Sequence, residues 1–323
     1  MRAYLHFLAA CFHAGQYDSD TAEESGGIGY VTDYDVTTPK EKYSLAVCFD
    51  KMLEDCSEEN IGKLSQGNSD PCRVDMATGF AIRAKILFQM KRYDEAMKYA
   101  GNALELNDEI EDRSVIKSTG KWTLPESAPN NYIFIRGMMQ CNPTYIPTTP
   151  ATTSKFEPGD YTLKYCTSGW SDFYGNMFSG VSGSLAYSGW DTYGNPYGLK
   201  VEHMYYIMAE CHIRKGNIVK GLEYVDKVRA KRVEDFEPFA TRPNLDEKTA
   251  MGLLQDAKLI EFFAGCENFL DRKRWNSEDA YRKDIVRDLG VRGKFTLKPE
   301  SPLWIMPFPD NATRYNKLLT QNY

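Results

Sequence analysis

The chain has 323 residues, 42% hydrophobic and 26% charged, enough for one large or two ordinary domains with a full apolar core. It holds no run of 18 or more apolar residues, so no segment reads as a membrane-spanning helix. The net charge of −6, with no basic run longer than "DRKRW", argues against a nucleic-acid partner, which needs a clustered Lys and Arg surface.

The chain opens on "MRAYLHFLAACF". Leu8-Ala9-Ala10-Cys11 has the small-residue pattern that precedes the acylated cysteine of a bacterial lipoprotein signal. A signal also needs a basic start and a clean apolar stretch of about 7–15 residues. "AYLHFLAA" is barely that long and holds His6, whereas Ala3, Phe7, Ala10 and Ala14 trace one helical face. Residues 2–13 therefore read as an amphipathic helix, and the expectation upstream is a longer natural front, a fragment or a misassigned start. "GGIGY" (26–30) reads as a turn, and "EKYSLAVCFDKMLED" (41–55) as a second helix.

The clearest periodicity follows at 75–107. Ala77, Phe80, Ala84, Leu87 and Phe88 line one helical face. After a turn at Lys91-Arg92, Tyr93, Ala96, Ala100, Ala103 and Leu104 line another. The pattern returns at 201–233, with Val201, Met204, Tyr205, Met208 and Cys211, a turn at Gly216-Asn217, then Ile218, Leu222, Val225 and Val228. The two stretches agree in register: Ala84 with Ala209, Ala96 with Gly221, Tyr99 with Tyr224. Both resemble tetratricopeptide (TPR) helix pairs, although they are not tandem.

Residues 108–199 separate the pairs and lack helical periodicity. They are rich in Gly, Pro, Ser, Thr, Asn and aromatics, and 161–197 holds ten aromatic residues in 37. So long an insertion in a compact chain points to function or disorder, and the aromatic density speaks against disorder. Helical pattern resumes at 251–272 with Leu253, Leu254, Ala257, Ile260 and Ala264. The tail "PLWIMPFPDNATRYNKLLTQNY" reads as extended and proline-broken, with a Trp and a Phe able to anchor it. The fold class this predicts is mostly α: TPR-like helix pairs forming an α/α superhelical body that carries a long, irregular, aromatic-rich insertion.

Catalytic and metal signatures are sparse. The eight cysteines form no C-x-x-C, leaving free buried thiols or one or two disulfides open. The four histidines show no metal-binding spacing, and His6 and His13 are expected to pack or face solvent. No Gly-x-Ser-x-Gly, P-loop or dinucleotide glycine pattern occurs. Carboxylate pairs such as Glu23/Glu24, Glu58/Glu59 and Asp108/Glu109 read as solvated charge rather than a glycosidase pair. No enzyme activity, metal or cofactor is expected. In "DRKRW", Arg274 and Trp275 are expected to tie the last helix to the body through ion pairs and packing.

Several of these stretches together resemble the SusD/RagB family of surface nutrient-binding lipoproteins. "KLIEFFAGCENFLDRKRW" (258–275) is similar to the family's R-x-x-E-L-x-F-E-G-x-R-x-x-D-L-x-R-W, matching at Glu261, Gly265, Asp271, Arg274 and Trp275. "VEHMYYIMAECHIRKGN" is similar to its E-M-Y-L-I-x-A-E-A helix, and "MRAYLHFLAACFHAGQY" to its R-A-x-L-H-F helix. "LWIMPFPDN" and "LLTQNY" stand where the family has a Pro-Ile-Pro stretch and an Asn-rich tail. The spacing from Gly265 to Trp275 is one residue longer than in the family, and the tail lacks the Pro-Gly before Tyr323. The likeness runs from residue 2 to the end, with 108–199 too variable to align.

The resemblance implies one SusD-like domain over 1–323. Within it, 1–107 holds TPR-like helices and 108–199 a loop-rich ligand-binding insertion; 200–323 holds a TPR-like pair, a last helix and an extended tail. It further implies capture of oligosaccharide or polysaccharide at the cell surface and delivery to a SusC-like TonB-dependent outer-membrane transporter. Attachment to the outer membrane would be through an N-terminal lipid anchor absent from this chain. Peptide capture by the same fold and a protein-binding TPR scaffold stand as alternatives. Sugar rings have apolar C–H faces and polar rims, so flat aromatics beside amides and carboxylates suit them. The candidate glycan contacts are Trp170, Asp172, Tyr174, Trp190, Tyr193 and Asn195, in a loop-like setting with Phe173 and Asn176. The competing expectation for each aromatic is that it pins the insertion to the helical body.

Overall fold

A computed structural model describes residues 1–35, 37–67, 70–119, 132–134, 139–140, 147–168, 170–187, 193–194, 198–263 and 265–323. Helix α1 (Arg2–His13) buries Ala3, Tyr4, Phe7, Ala10 and Cys11 on one face, as its spacing predicts. "GGIGY" is not a turn: Gly26–Gly29 form strand β1, antiparallel to β2 (Lys42–Ser44). The predicted 41–55 helix accordingly starts later, as α2 (Leu45–Asp55). The Ser44 side chain accepts from the Val47 amide at 3.3 Å and fixes that start. A short α3 (Glu58–Ile61) follows.

The first helix pair is α4 (Met76–Gln89) and α5 (Tyr93–Leu106). Asp75 and Thr78 form a reciprocal cap at the start of α4. Ala84, Ala96, Ala100 and Ala103 are fully buried where the helices meet, and their small side chains let the backbones approach. The second pair is described below, after the insertion.

The insertion holds short elements: α6 (Ile116–Thr119), β3 (Tyr132–Phe134), β4 (Met139–Gln140), α7 (Pro150–Thr153), α8 (Tyr161–Tyr165), α9 (Ser171–Ser179), β5 (Tyr193–Gly194) and β6 (Leu199–Lys200). Strands β3 and β6 pair, as do β4 and β5, each antiparallel. Helix α9 corrects the expectation of irregular chain throughout 108–199. A small separate core of Ile116, Phe156, Tyr161, Cys166, Tyr187 and Ile260 holds this region to the body.

The second pair, α10 (Val201–Arg214) and α11 (Ile218–Arg229), turns at Gly216 with φ 79°. Helix α10 packs against α4, α5 and α11. It is buried almost all round rather than on one face, Glu202 and Glu210 included. The predicted 251–272 helix is two: α12 (Glu247–Glu261) and α13 (Glu267–Asn276). Ala264, placed on its face by spacing, lies outside the described residues. An antiparallel hairpin, β7 (Ile285–Asp288) with β8 (Lys294–Leu297), follows without a matching expectation.

The tail is less extended than predicted, with a 3₁₀ turn at Pro302–Trp304 and a final helix α14 (Asp310–Tyr315). Its anchors hold as expected. Trp304 packs on Phe269 at 5.5 Å and Phe308 stacks on His13 at 5.1 Å. Near the end, Asn322 donates to the carbonyls of His13 at 2.7 Å and Gly27 at 2.8 Å. His6 stacks on Tyr30 at 3.9 Å and accepts from the Val31 amide, a packing role. The seven described cysteines are free thiols, and Cys141 lies outside the described residues. Among the described residues no helix is long and apolar enough to cross a membrane.

Candidate functional site

Helix α9 reads "SDFYGNMFS", and its burial is the reverse of the usual pattern. The small residues Ser171 and Gly175, one turn apart, are the buried ones. A Cβ on Gly175 would overlap the Ser184 carbonyl, so glycine there lets the helix lie directly on the backbone of 184–186. Hydrogen bonds fix the contact: Ala186 N–H donates to the Ser171 carbonyl at 3.1 Å, and Ser179 Oγ donates to Ser184 Oγ at 2.8 Å. Strand-like pairing of Thr148 with Leu185 ties this support to α7. Asp172 sits in the first turn, where the amide dipoles favour negative charge.

The opposite side of α9 carries Trp170, Phe173, Tyr174, Met177 and Phe178, spaced i, i+3, i+4, i+7 and i+8. Such a stripe ordinarily faces a core. Here Trp170 is 66% exposed, Phe173 55%, Met177 59%, Tyr174 37% and Phe178 36%. The rings touch in a row: Trp170 meets Phe173 edge-on at 6.0 Å, and Phe173 meets Tyr174 edge-on at 5.3 Å. Tyr174 in turn stacks with Phe178 at 6.2 Å. The hydroxyl of Tyr174, the carboxylate of Asp172 and the amide of Asn176 lie on the same exposed helix. A contiguous exposed apolar patch rimmed by polar groups is the usual mark of a binding surface.

Three of the six candidate contacts, Trp170, Asp172 and Tyr174, are thus brought together on one helix. Tyr193 lies in β5, its backbone paired with Gln140, and its side chain is outside the described residues. Trp190 and Asn195 lie outside the described residues as well. Met177 and Phe178 belong to the patch but escaped the sequence reading. Their spacing from Trp170 is helical, but Gly175 in mid-helix and Gly180 at its end broke the signal.

Among the described residues, some aromatics of the insertion pin it to the body and others stay exposed. Tyr161 and Tyr187 are buried in the local core and pin the segment, the Tyr187 hydroxyl bonding Thr148 Oγ1 at 2.7 Å. Trp170, Phe173 and Tyr174 do not. The buried carboxylates of the helical body are engaged by cations. Glu210 meets Arg274 at 2.6 Å, Glu261 meets Arg232 at 2.7 Å, and Glu267 pairs with Lys85. Among the described residues no group of three His, Cys, Asp or Glu side chains is placed to hold a metal.

No protein-family model and no curated protein matches the chain. Solved structures match it over nearly its whole length. A SusD-like carbohydrate binding protein from Bacteroides vulgatus superposes with a TM-score of 0.70 at 14% identity, over 98% of this chain and 75% of that one. A SusD superfamily protein from Bacteroides thetaiotaomicron gives 0.71 at 13%, over 100% and 76%. A SusD-like protein from Bacteroides fragilis gives 0.65 at 17%, over 99% and 77%. At such low identity what is shared is architecture, and the architecture of this chain is the SusD-like fold.

Proposed function

We propose that the protein captures oligosaccharide or polysaccharide without catalysis, and that the outer face of α9 meets the sugar. The observation that carries this is the inverted helix, with small residues inward and a row of touching aromatic rings outward. Leaving such a stripe in water forgoes burial worth about 1.5–3 kcal/mol per large side chain, which binding a partner would recover. Flat rings with a carboxylate, an amide and a phenol beside them match the faces and hydroxyls of a sugar. One of the structures sharing the fold is described as carbohydrate binding. Trp190, Tyr193 and Asn195 are proposed as further contacts from the same insertion. The family resemblance of the sequence supports membership of the SusD/RagB family, a single domain over 1–323, and a place at the outer membrane as a lipid-anchored subunit handing ligand to a SusC-like TonB-dependent transporter.

The test is native affinity electrophoresis through gels holding soluble polysaccharides, comparing the protein with Trp170→Ala and Tyr174→Ala. Retardation by one glycan class is expected. Each variant should weaken it by about 1–2 kcal/mol of binding and leave the melting temperature nearly unchanged, because both side chains are exposed. Unaltered retardation in both variants would move the site off α9. Failure to be retarded by any glycan, with peptide binding instead, would replace the ligand class.

A further inference from the structure

A second candidate site borders the insertion's small core, sharing Phe156 and Ile260 with it. It is a cleft of about 180 Å³, with Phe156, Asp160, Tyr206, Val233, Phe239 and Ile260 among its walls. At roughly 30 Å³ per water this is the volume of about six waters, the size of a single sugar ring. The α8 end, α11 and α12 contribute to it, and Tyr206 reaches it from α10.

Most charges on these walls are already engaged. Arg113 bonds Glu261 at 2.9 Å, and Arg232 bonds Glu261 at 2.7 Å and Glu202 at 2.6 Å. Arg229 grips Glu157 with two bonds, at 2.7 and 2.6 Å, and also pairs with Asp226. Lys155 meets Asp256 at 2.8 Å. Arg242, at the exposed rim against the Phe239 ring, has no carboxylate among the described residues. Two buried groups stand apart. The Tyr206 hydroxyl, on a residue 2% exposed, has no hydrogen-bond partner among the described residues. Asp160, 4% exposed, uses Oδ1 to cap α8, accepting from Thr162 N–H at 2.8 Å and Leu163 N–H at 3.1 Å. Its Oδ2 takes no donor among the described residues. Burial pushes the Asp160 carboxyl up to about 6 despite the nearby Arg113 charge.

Both residues line the cleft, so their unpartnered atoms are available to a molecule that enters it. Apart from Arg242 at the rim, the wall cations hold carboxylates, so the interior has little to offer an anion. What it offers is an acceptor at Asp160 Oδ2, a hydroxyl at Tyr206 and an apolar floor. We infer that the cleft binds a neutral, hydroxyl-rich molecule the size of one monosaccharide, which donates to Asp160 and exchanges a hydrogen bond with Tyr206 while its C–H face rests on Phe156, Val233 and Ile260. This site is separate from α9 and stands independently of the reading given to that helix.

The test is saturation-transfer NMR and calorimetry with single pentoses and hexoses (xylose, arabinose, glucose, galactose, mannose), glycerol as a minimal polyol and acetate as an anionic control. Tyr206→Phe removes only the hydroxyl. Asp160→Asn keeps the helix cap and turns the free acceptor into a donor. Saturable binding of a monosaccharide is expected, weakened about fivefold or more by each variant, with melting temperatures within a few degrees of the parent. Binding that neither variant alters, preference for acetate, or no saturable binding by any of these probes would overturn the proposal and leave a hydrated cleft. None of these readouts uses polysaccharide retardation, so the failure of this site and the failure of the α9 reading are told apart.

Discussion

Glu210 shows how a single residue holds the body together. It sits with no exposed surface in the middle of α10, where burial alone would push its carboxyl up. Arg274 overcomes that, and the carboxyl is held well below the usual glutamate range. Its two oxygens accept four hydrogen bonds, two from Arg274 at 2.6 and 2.8 Å, one from Arg214 at 2.9 Å and one from the Trp275 indole at 3.0 Å. Removing one partner of a buried pair leaves an uncompensated charge, which costs about 3–5 kcal/mol. Glu210→Gln is therefore expected to lower unfolding free energy by about that amount in urea titrations at neutral pH. Combining it with Arg274→Met should cost less than the two single changes added. A loss below about 1 kcal/mol for Glu210→Gln would show the network to be dispensable.

At the scale of elements, the two helix pairs use the same turn with different residues. In the first, Lys91 adopts φ 62°, its N–H donates to Phe88 O at 3.0 Å, and Arg92 N–H donates to Leu87 O at 2.9 Å. In the second, Gly216 adopts φ 79°, with the matching bonds to Ile213 O at 2.9 Å and from Asn217 N–H to His212 O at 3.0 Å. Both are the left-handed helix ending that satisfies terminal carbonyls. A lysine there carries a Cβ penalty of about 1–2 kcal/mol, partly offset because it has less freedom to lose on folding than glycine. Lys91→Gly is expected to stabilise the protein by about 0.5–1 kcal/mol, and Gly216→Ala to destabilise it by about 1 kcal/mol. Thermal unfolding of the two variants side by side checks the pair, and equal melting temperatures would refute it.

Across the whole molecule, among the described residues, buried ion pairs rather than disulfides join segments far apart in sequence. Lys85 of α4 reaches Glu267 of α13, and Arg113 before α6 reaches Glu261 of α12. For Glu210, Glu261 and Glu267, burial opposes ionisation, but the adjacent cations win and the folded values lie below the ordinary one. The unfolded chain therefore binds these protons first on acidification. Their contribution is complete above about pH 4.5 and is lost as pH falls below it. Asp160 and Asp271 are shifted upward, chiefly by burial, and favour the folded state as they protonate. The expected profile is a modest rise in stability from pH 7 to about 5, as Asp160 protonates, then a steep fall toward pH 3. A melting temperature unchanged from pH 5 to pH 3 would contradict the assignment.

Local signals in the chain suffice for the parts that depend on near neighbours alone. Helices α1, α4, α5, α10 and α11 follow from apolar spacing within one or two turns and from turn residues at their ends. Arg274 and Trp275 were legible as anchors, and the tail's Trp304 and Phe308 as its fastenings. Tertiary structure decided everything that depends on which surface a residue meets. The i, i+3, i+4, i+7 apolar spacing that packs α5 into the core faces solvent on α9, because the small Ser171 and Gly175 take the place against the backbone of 184–186. Glu210 gives no sign in sequence that its partner lies 64 residues on. The cleft brings Asp160, Tyr206 and Ile260 together from α8, α10 and α12. Helical period is written in the next four residues, but the side a helix buries is set by neighbours that only chain folding supplies.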